Sequence, residues 1–166
     1  MKYLVTGANG QLGRALEGLL KGQDFLAVDI NEMDITNLSS VEKVVSDFKP
    51  DVVIHGAAFT NVDRAETDET SAWRVNALGT QHVALVCAKI NAAMVYISTD
   101  YIFDGTLGRP YTEFDLANPR STYSRTKYAG EVIARHCLNQ LYIVRTSWMF
   151  GDGNNFVRTM LKLGRE

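Results

Sequence analysis

A chain of 166 residues with 46% hydrophobic and 22% charged residues has the make-up of an ordinary globular domain. Seventeen Lys and Arg against nineteen Asp and Glu leave a formal charge of −2, so bulk electrostatics give no sign of a nucleic-acid or membrane partner, and none is expected. A domain of this size buries roughly 70% of its unfolded-chain surface, which allows one substantial core and not two. The apolar opening, residues 2–6, is too short for a signal sequence or a membrane span. Cys87 and Cys137 show neither metal-ligand spacing nor a disulfide framework, so no metal site is expected and a reducing cytoplasm is.

Five short apolar runs, residues 2–6, 25–29, 51–55, 94–98 and 141–145, read as buried strands without alternation. Helical spacing fills the gaps. Residues 11–21 align Leu12, Ala15, Leu16, Leu19 and Leu20, and residues 39–48 carry Val41, Val44, Val45 and Phe48 behind a Ser-Ser start. Residues 70–90 form a long helix with Trp73 on its apolar stripe, and 122–137 and 155–163 complete the set. Regular alternation predicts a parallel sheet with right-handed crossovers in a single domain, 1–166. The aperiodic stretch 105–120, containing Pro110 and Pro119, reads as an active-site loop.

Gly7-Ala-Asn-Gly10-Gln-Leu-Gly13 joins the first strand to the first helix. Gly7 suits the tight turn, Gly10 admits a pyrophosphate, and Gly13 brings the helix close to the sheet. The helix start then offers free N–H groups to phosphate. Asp29 at the end of the second strand is placed to accept hydrogen bonds from an adenosine ribose and to repel a 2′-phosphate. Asp34-Ile35 reads either as an adenine cradle or as a plain turn. Gly56-Ala57-Ala58 reads either as a cofactor platform or as helix–sheet packing.

Tyr123 and Lys127, four residues apart on a predicted helix, share one face. An adjacent ammonium lowers a phenol's pKa from about 10 toward the range useful for proton transfer at a carbonyl. Thr99 ends the fourth strand, where open α/β sheets bind ligands, and its hydroxyl can orient a reacting oxygen. His55, His82 and His136 read as satisfied or exposed histidines. Trp148, beyond the last strand, lies on the same side of the sheet as Thr99 and reads either as pocket wall or as packing.

The combined pattern resembles the extended short-chain dehydrogenase/reductase superfamily, and within it the dTDP-4-dehydrorhamnose reductases. The residues that carry the likeness are Thr6-Gly-Ala-Asn-Gly-Gln-Leu-Gly13, Ala57-Ala-Phe-Thr-Asn-Val-Asp-Arg-Ala-Glu66 and Val75-Asn76. Ser98-Thr-Asp-Tyr-Ile-Phe-Asp-Gly105, Tyr123-Ser-Arg-Thr-Lys127, Arg145-Thr-Ser-Trp-Met-Phe-Gly151 and Gly153-Asn-Asn-Phe156 extend it. The resemblance implies a Rossmann-type, doubly wound, three-layer αβα sheet and NADPH or NADH as cofactor. It implies reduction of the C4 keto group of dTDP-4-dehydro-L-rhamnose in carbohydrate biosynthesis.

By matched position, Thr99 binds the carbonyl, Tyr123 protonates the oxygen, and Lys127 tunes Tyr123 and holds the nicotinamide ribose. Trp148 contacts the nucleotide sugar, while Gly10, Gln11, Leu12, Asp29, Asp34, Ile35, Ala58, Phe59 and Thr60 contact the cofactor. Ser124 stands where the family usually has glycine. Other sugar-nucleotide reductases and epimerases share the pattern, as does a non-catalytic relative, the regulatory subunit of methionine adenosyltransferase. The sequence ends at Glu166, short of the family's C-terminal substrate lobe, so an uncovered sheet edge and association with a second chain are expected.

Overall fold

The computed structural model describes residues 1–151, 153 and 155–165. Asn154, within the last of the resembling motifs, lies outside them. Five strands, β1 (Lys2–Thr6), β2 (Asp24–Val28), β3 (Val52–His55), β4 (Ala93–Thr99) and β5 (Leu141–Thr146), form one sheet in the order β2-β1-β3-β4-β5. All four pairings are parallel, with Thr6 beside Val28 and His55, and Thr99 beside Thr146. The C-terminal ends of the strands therefore lie along one rim.

The helices are α1 (Gln11–Leu19), α2 (Leu38–Phe48), α3 (Val62–Thr67), α4 (Glu69–Trp73), α5 (Thr80–Ile90), α6 (Thr122–Cys137) and α7 (Phe156–Leu163). The chain moves one way from β1 to β2 and the other way in every later crossover. Right-handed connection then places α1 on one face and α2, α5 and α6 on the other. On that second face α2 packs on α5, and α5 on α6. The core lies between these helices and the sheet: Leu4, Val41, Val45, Val53, Val83, Met94 and Tyr96 are fully buried. Each large apolar side chain so buried contributes roughly 1.5–3 kcal/mol.

The α1 face is less covered. Strand alternation sends Leu141 and Ile143 of β5 to the core and Tyr142 and Val144 the opposite way, where they are 65% and 41% exposed. Helix α7 is capped by Asn155, whose side chain accepts the Arg158 N–H at 3.1 Å, yet it buries no residue.

The structure departs from the sequence reading in four places. The second strand runs one residue earlier, so Asp29 stands just beyond it. Residues 62–67 form a helix, started by Asn61, whose side chain accepts the Arg64 N–H at 2.9 Å. The single helix over 70–90 is instead α4, a π-helical turn at Arg74–Gly79, and α5. That wider turn breaks the constant phase on which the apolar stripe depended, and Trp73 is 42% exposed rather than core. In α1, Leu19 is likewise 79% exposed, because the helix ends there instead of continuing to residue 21.

Candidate active site

The glycine turn is forced by backbone crowding. Gly7 adopts φ +72°, and a Cβ there would come within 2.8 Å of the Ala57 nitrogen on β3's exit loop. Gly13 differs from expectation: its added Cβ would strike Ala8 O at 2.4 Å, so it admits the turn's own backbone rather than the sheet. Gly10 precedes α1 and gives it no side-chain cap, which leaves the first helical N–H groups open to a ligand's oxygens. Among the described residues, Gln11 Nε2 is the buried side-chain nitrogen that has no hydrogen-bond partner.

Gly7 and Gly10 open onto a cleft of about 370 Å³ at the carboxyl ends of β1, β2 and β3. Of the predicted cofactor residues, Gly7, Gly10, Asp29, Asp34, Ile35, Ala57, Ala58, Phe59 and Thr60 line it. Gln11, Leu12 and Gly13 do not line the cleft, and neither do Tyr123 and Lys127. Asp29 braces the turn by accepting the Asn9 and Ile30 N–H groups, both at 2.8 Å, while its own N–H donates to Glu32 Oε2 at 3.0 Å. Glu32 is thus a second carboxylate at this corner that sequence reading missed. Asp34 closes a local turn, accepting the Thr36 N–H at 2.9 Å and hydroxyl at 2.8 Å.

The catalytic candidates sit on β4 and α6. Helix α6 starts with a capping box, the Ser124 hydroxyl accepting the Ser121 N–H at 3.0 Å and the Ser121 hydroxyl accepting the Ser124 N–H at 3.2 Å. Ser124, the departure from glycine, is therefore a helix-starting residue turned toward the cap. Glu66 fixes the same end, its two carboxylate oxygens accepting the Thr122 N–H at 2.7 Å and hydroxyl at 2.9 Å. Those bonds hold its carboxyl below the ordinary range.

Tyr123 is half-buried one residue into this helix, edge-on to Tyr101 with ring centroids 6.3 Å apart. Burial pushes its phenol up, the Thr99 hydroxyl beside it pulls it down, and the charge of Asp100 adds to the rise. This reverses the expected lowering, and the position of Lys127 shows why. Lys127 is 3% exposed, its ammonium donates to the Ile97 carbonyl at 2.7 Å and lies 4.2 Å above the Tyr96 ring. Burial lowers the lysine from 10.5 to about 7, against an opposing contribution from Glu131. The phenol is thus protonated at neutral pH, the state a proton donor requires.

Three buried polar residues have hydrogen-bond partners that the sequence reading did not give. Asn76, in the π-helical turn, accepts the Phe59 N–H at 2.8 Å and donates from Nδ2 to Phe59 O at 3.1 Å and Thr126 Oγ1 at 3.0 Å. It joins the cofactor loop to α6, next to the threonine that donates to Tyr123 O at 2.8 Å. Glu131, fully buried, accepts from Ser98 Oγ at 2.6 Å, Arg145 Nε at 3.0 Å and Arg145 Nη2 at 2.7 Å. His55 is also fully buried and is described further below. The partners named here stand 14 to 50 positions away in sequence, so local patterns carry no trace of them.

A second, larger cleft of about 920 Å³ opens beside α6, lined by Asp100, Tyr101, Asp104, Arg120, Ser124, Arg145 and Ser147 among others. Loop 105–120 forms part of its wall and is tied to Asp104, which accepts from Thr106, Tyr111 and Asn118. Thr99, Tyr123, Lys127 and Trp148 do not line this cleft. Trp148 is 60% exposed and packs on Phe156 with ring centroids 4.4 Å apart. Among the described residues no cluster of side chains has the make-up of a metal site, and no helix is long and apolar enough to cross a membrane.

Residues 1–166 match the family described as the RmlD substrate binding domain. The chain belongs to that family. A relative from Aggregatibacter actinomycetemcomitans, named dTDP-4-dehydrorhamnose reductase, is 44% identical over 168 residues, covering 99% of this chain and 57% of the relative. The crystal structure of a Clostridium acetobutylicum dTDP-4-dehydrorhamnose reductase is 47% identical with a TM-score of 0.96, covering 99% of this chain and 60% of that one. The Bacillus anthracis dTDP-4-dehydrorhamnose reductase, solved in complex with NADP, is 44% identical with a TM-score of 0.95 and the same coverage. The chain therefore spans somewhat under two thirds of these relatives. The Rossmann-type α/β fold expected from the sequence is the one these RmlD relatives share.

Proposed function

We propose that this chain carries the dinucleotide site and the proton-donating residues of an NAD(P)H-dependent reductase. The substrate is dTDP-4-dehydro-L-rhamnose, whose C4 ketone becomes the alcohol of dTDP-L-rhamnose. The observation that carries the reading is the placement of Tyr123 beside Thr99 at the carboxyl end of β4, on the rim that also bears the glycine turn. The uncapped start of α1 fits the oxygens of a pyrophosphate, and Asp29 with Glu32 fits ribose hydroxyls. Gln11, Leu12 and Gly13 would hold the phosphates. Asp34, Ile35 and the Ala57–Thr60 segment would hold the nucleoside.

The nicotinamide, when bound, supplies a hydride to the sugar carbon. Thr99 binds and orients the carbonyl oxygen. Tyr123 then breaks its O–H bond and gives the proton to that oxygen. Lys127, one turn further along α6, would hold the nicotinamide ribose and steady the new phenolate. Trp148 flanks the sugar. Two carboxylates at the ribose corner favour NADH over NADPH, while the NADP complex of the Bacillus anthracis relative supports use of NADPH.

The test is sugar-dependent oxidation of NADPH or NADH. Tyr123→Phe is expected to slow it about 10²–10⁴-fold while nucleotide affinity is retained. Equal rates for the parent and the variant would contradict the assignment.

Residues 1–166 act in this reading as one dinucleotide-binding domain in the cytoplasm, in keeping with free thiols at Cys87 and Cys137. The exposed Tyr142 and Val144 on β5 support association of that edge with a second copy. Val144→Lys is expected to raise the monomer fraction in sedimentation. A parent that is monomeric at every concentration would refute the association.

A further inference from the structure

We propose that His55 is a positioning residue that holds the cofactor loop in register with the catalytic helix through a hydrogen-bonded chain of fixed direction. The inference rests on the dinucleotide site proposed above. His55 ends β3, is fully buried, and lies against the Tyr96 ring at 5.7 Å with the planes 24° apart. Its Nδ1 is 2.8 Å from Thr6 Oγ1, and its Nε2 is 3.3 Å from Thr80 Oγ1.

The direction of the chain follows from counting protons. Thr80 has one hydroxyl proton, and its 2.7 Å bond to the Asn76 carbonyl uses it. Thr80 therefore accepts from His55, and Nε2 carries the imidazole proton. The ring is neutral, because burial lowers its pKa to about 3, so Nδ1 is an acceptor. Thr6 then donates its single proton to Nδ1 and uses its oxygen to accept the Ala57 N–H at 3.1 Å. Every hydroxyl proton in the chain has one destination.

The two ends of this chain are the two anchors of the cofactor loop. At one end, Thr6 holds Ala57 beside the glycine turn. At the other, Thr80 fixes Asn76, whose side chain brackets Phe59 and reaches Thr126 on the helix of Tyr123 and Lys127. Neither His55 nor Thr80 lines the 370 Å³ cleft, so they act on the cofactor through the loop and not by contact.

The experiment compares the parent with Thr80→Val, which keeps the shape but removes the hydroxyl, and Thr80→Ser, which restores it. ¹⁵N NMR of the histidine ring at neutral pH reads the tautomer, and calorimetry reads NADPH and NADH affinity. The parent is expected to show the Nε2–H form. Thr80→Val is expected to bind nucleotide about tenfold more weakly, and Thr80→Ser to bind as the parent does. An Nδ1–H ring, a Thr80→Val variant with parental affinity, or a Thr80→Ser variant as weak as Thr80→Val would overturn the inference. A folded parent that binds neither nucleotide would sink the proposed function instead. The chain would then be judged by its tautomer and by whether Thr80→Val shifts the Ala57, Phe59 and Tyr123 amide resonances; unmoved amides would overturn it.

Discussion

Glu131→Ala is expected to lower the unfolding free energy by about 3–5 kcal/mol, the range for removing one partner of a buried ion pair. Glu131 is wholly inaccessible and its carboxylate takes hydrogen bonds from Ser98, Arg145 and Arg135, which come from β4, β5 and α6. Alanine leaves the Arg145 guanidinium, whose side chain is only 16% exposed, facing a void with no counter-charge. The damage reaches the site as well, because Ser98 immediately precedes Thr99 and Lys127 lies one turn before Glu131. Urea denaturation at neutral pH measures the loss, and a change below about 1 kcal/mol would contradict the account. Replacing both partners with apolar residues, Glu131→Leu with Arg145→Met, is expected to recover much of the stability, since neither charge then needs a partner.

Stability is expected to rise with pH between about 7 and 10.5, and Lys127→Met is expected to remove that slope. Burial sets the folded Lys127 at about 7 against 10.5 for the free side chain. Across that window the unfolded chain binds more protons than the folded one, so raising the pH favours folding by at most about 1.4 kcal/mol per unit. His55 acts with the same sign lower down. Its folded value of about 3 lies below the free 6.5, so stability is present above 6.5 and drains away as pH falls toward 3. Cys87 opposes both above pH 9, because burial holds its thiol up to about 12 while the unfolded chain ionises near 9. Urea midpoints at pH 5, 7 and 8.5 for the parent, Lys127→Met and His55→Gln separate these contributions. A parent profile flat from 7 to 8.5, or a slope surviving in Lys127→Met, would contradict the assignment. A lysine kept buried at such a cost is consistent with a functional role rather than a stabilising one.

The parts that sequence reveals and those it hides divide by the range of the interactions. The five strands were legible because each is a short apolar run punctuated by polar turns, and the glycine turn was legible because Gly7 takes a positive φ and Gly13 answers to local crowding. Tyr123 and Lys127 could be placed on one helix because a four-residue spacing is a local property. The direction in which Lys127 points was not legible. Its partner, Ile97 O, belongs to a strand 30 positions earlier, and with the ammonium held there burial raises the Tyr123 phenol. Trp73 was misplaced because the π-helical turn that follows it is fixed by Asn76 reaching Phe59, a contact that periodicity cannot register. His55 reads from the sequence as a satisfied or exposed histidine; it is buried and satisfied, and its two threonine partners lie 49 and 25 positions away and give the bonds their meaning.

The central claim is that these residues form a dinucleotide site, and calorimetric titration of the 166-residue chain with NADH and NADPH tests it most directly. The account predicts saturable binding at one site, lost in Gly13→Val, where the added side chain collides with the backbone of Ala8. A chain that is folded by circular dichroism yet binds neither nucleotide, or one in which Gly13→Val binds as the parent does, would contradict it.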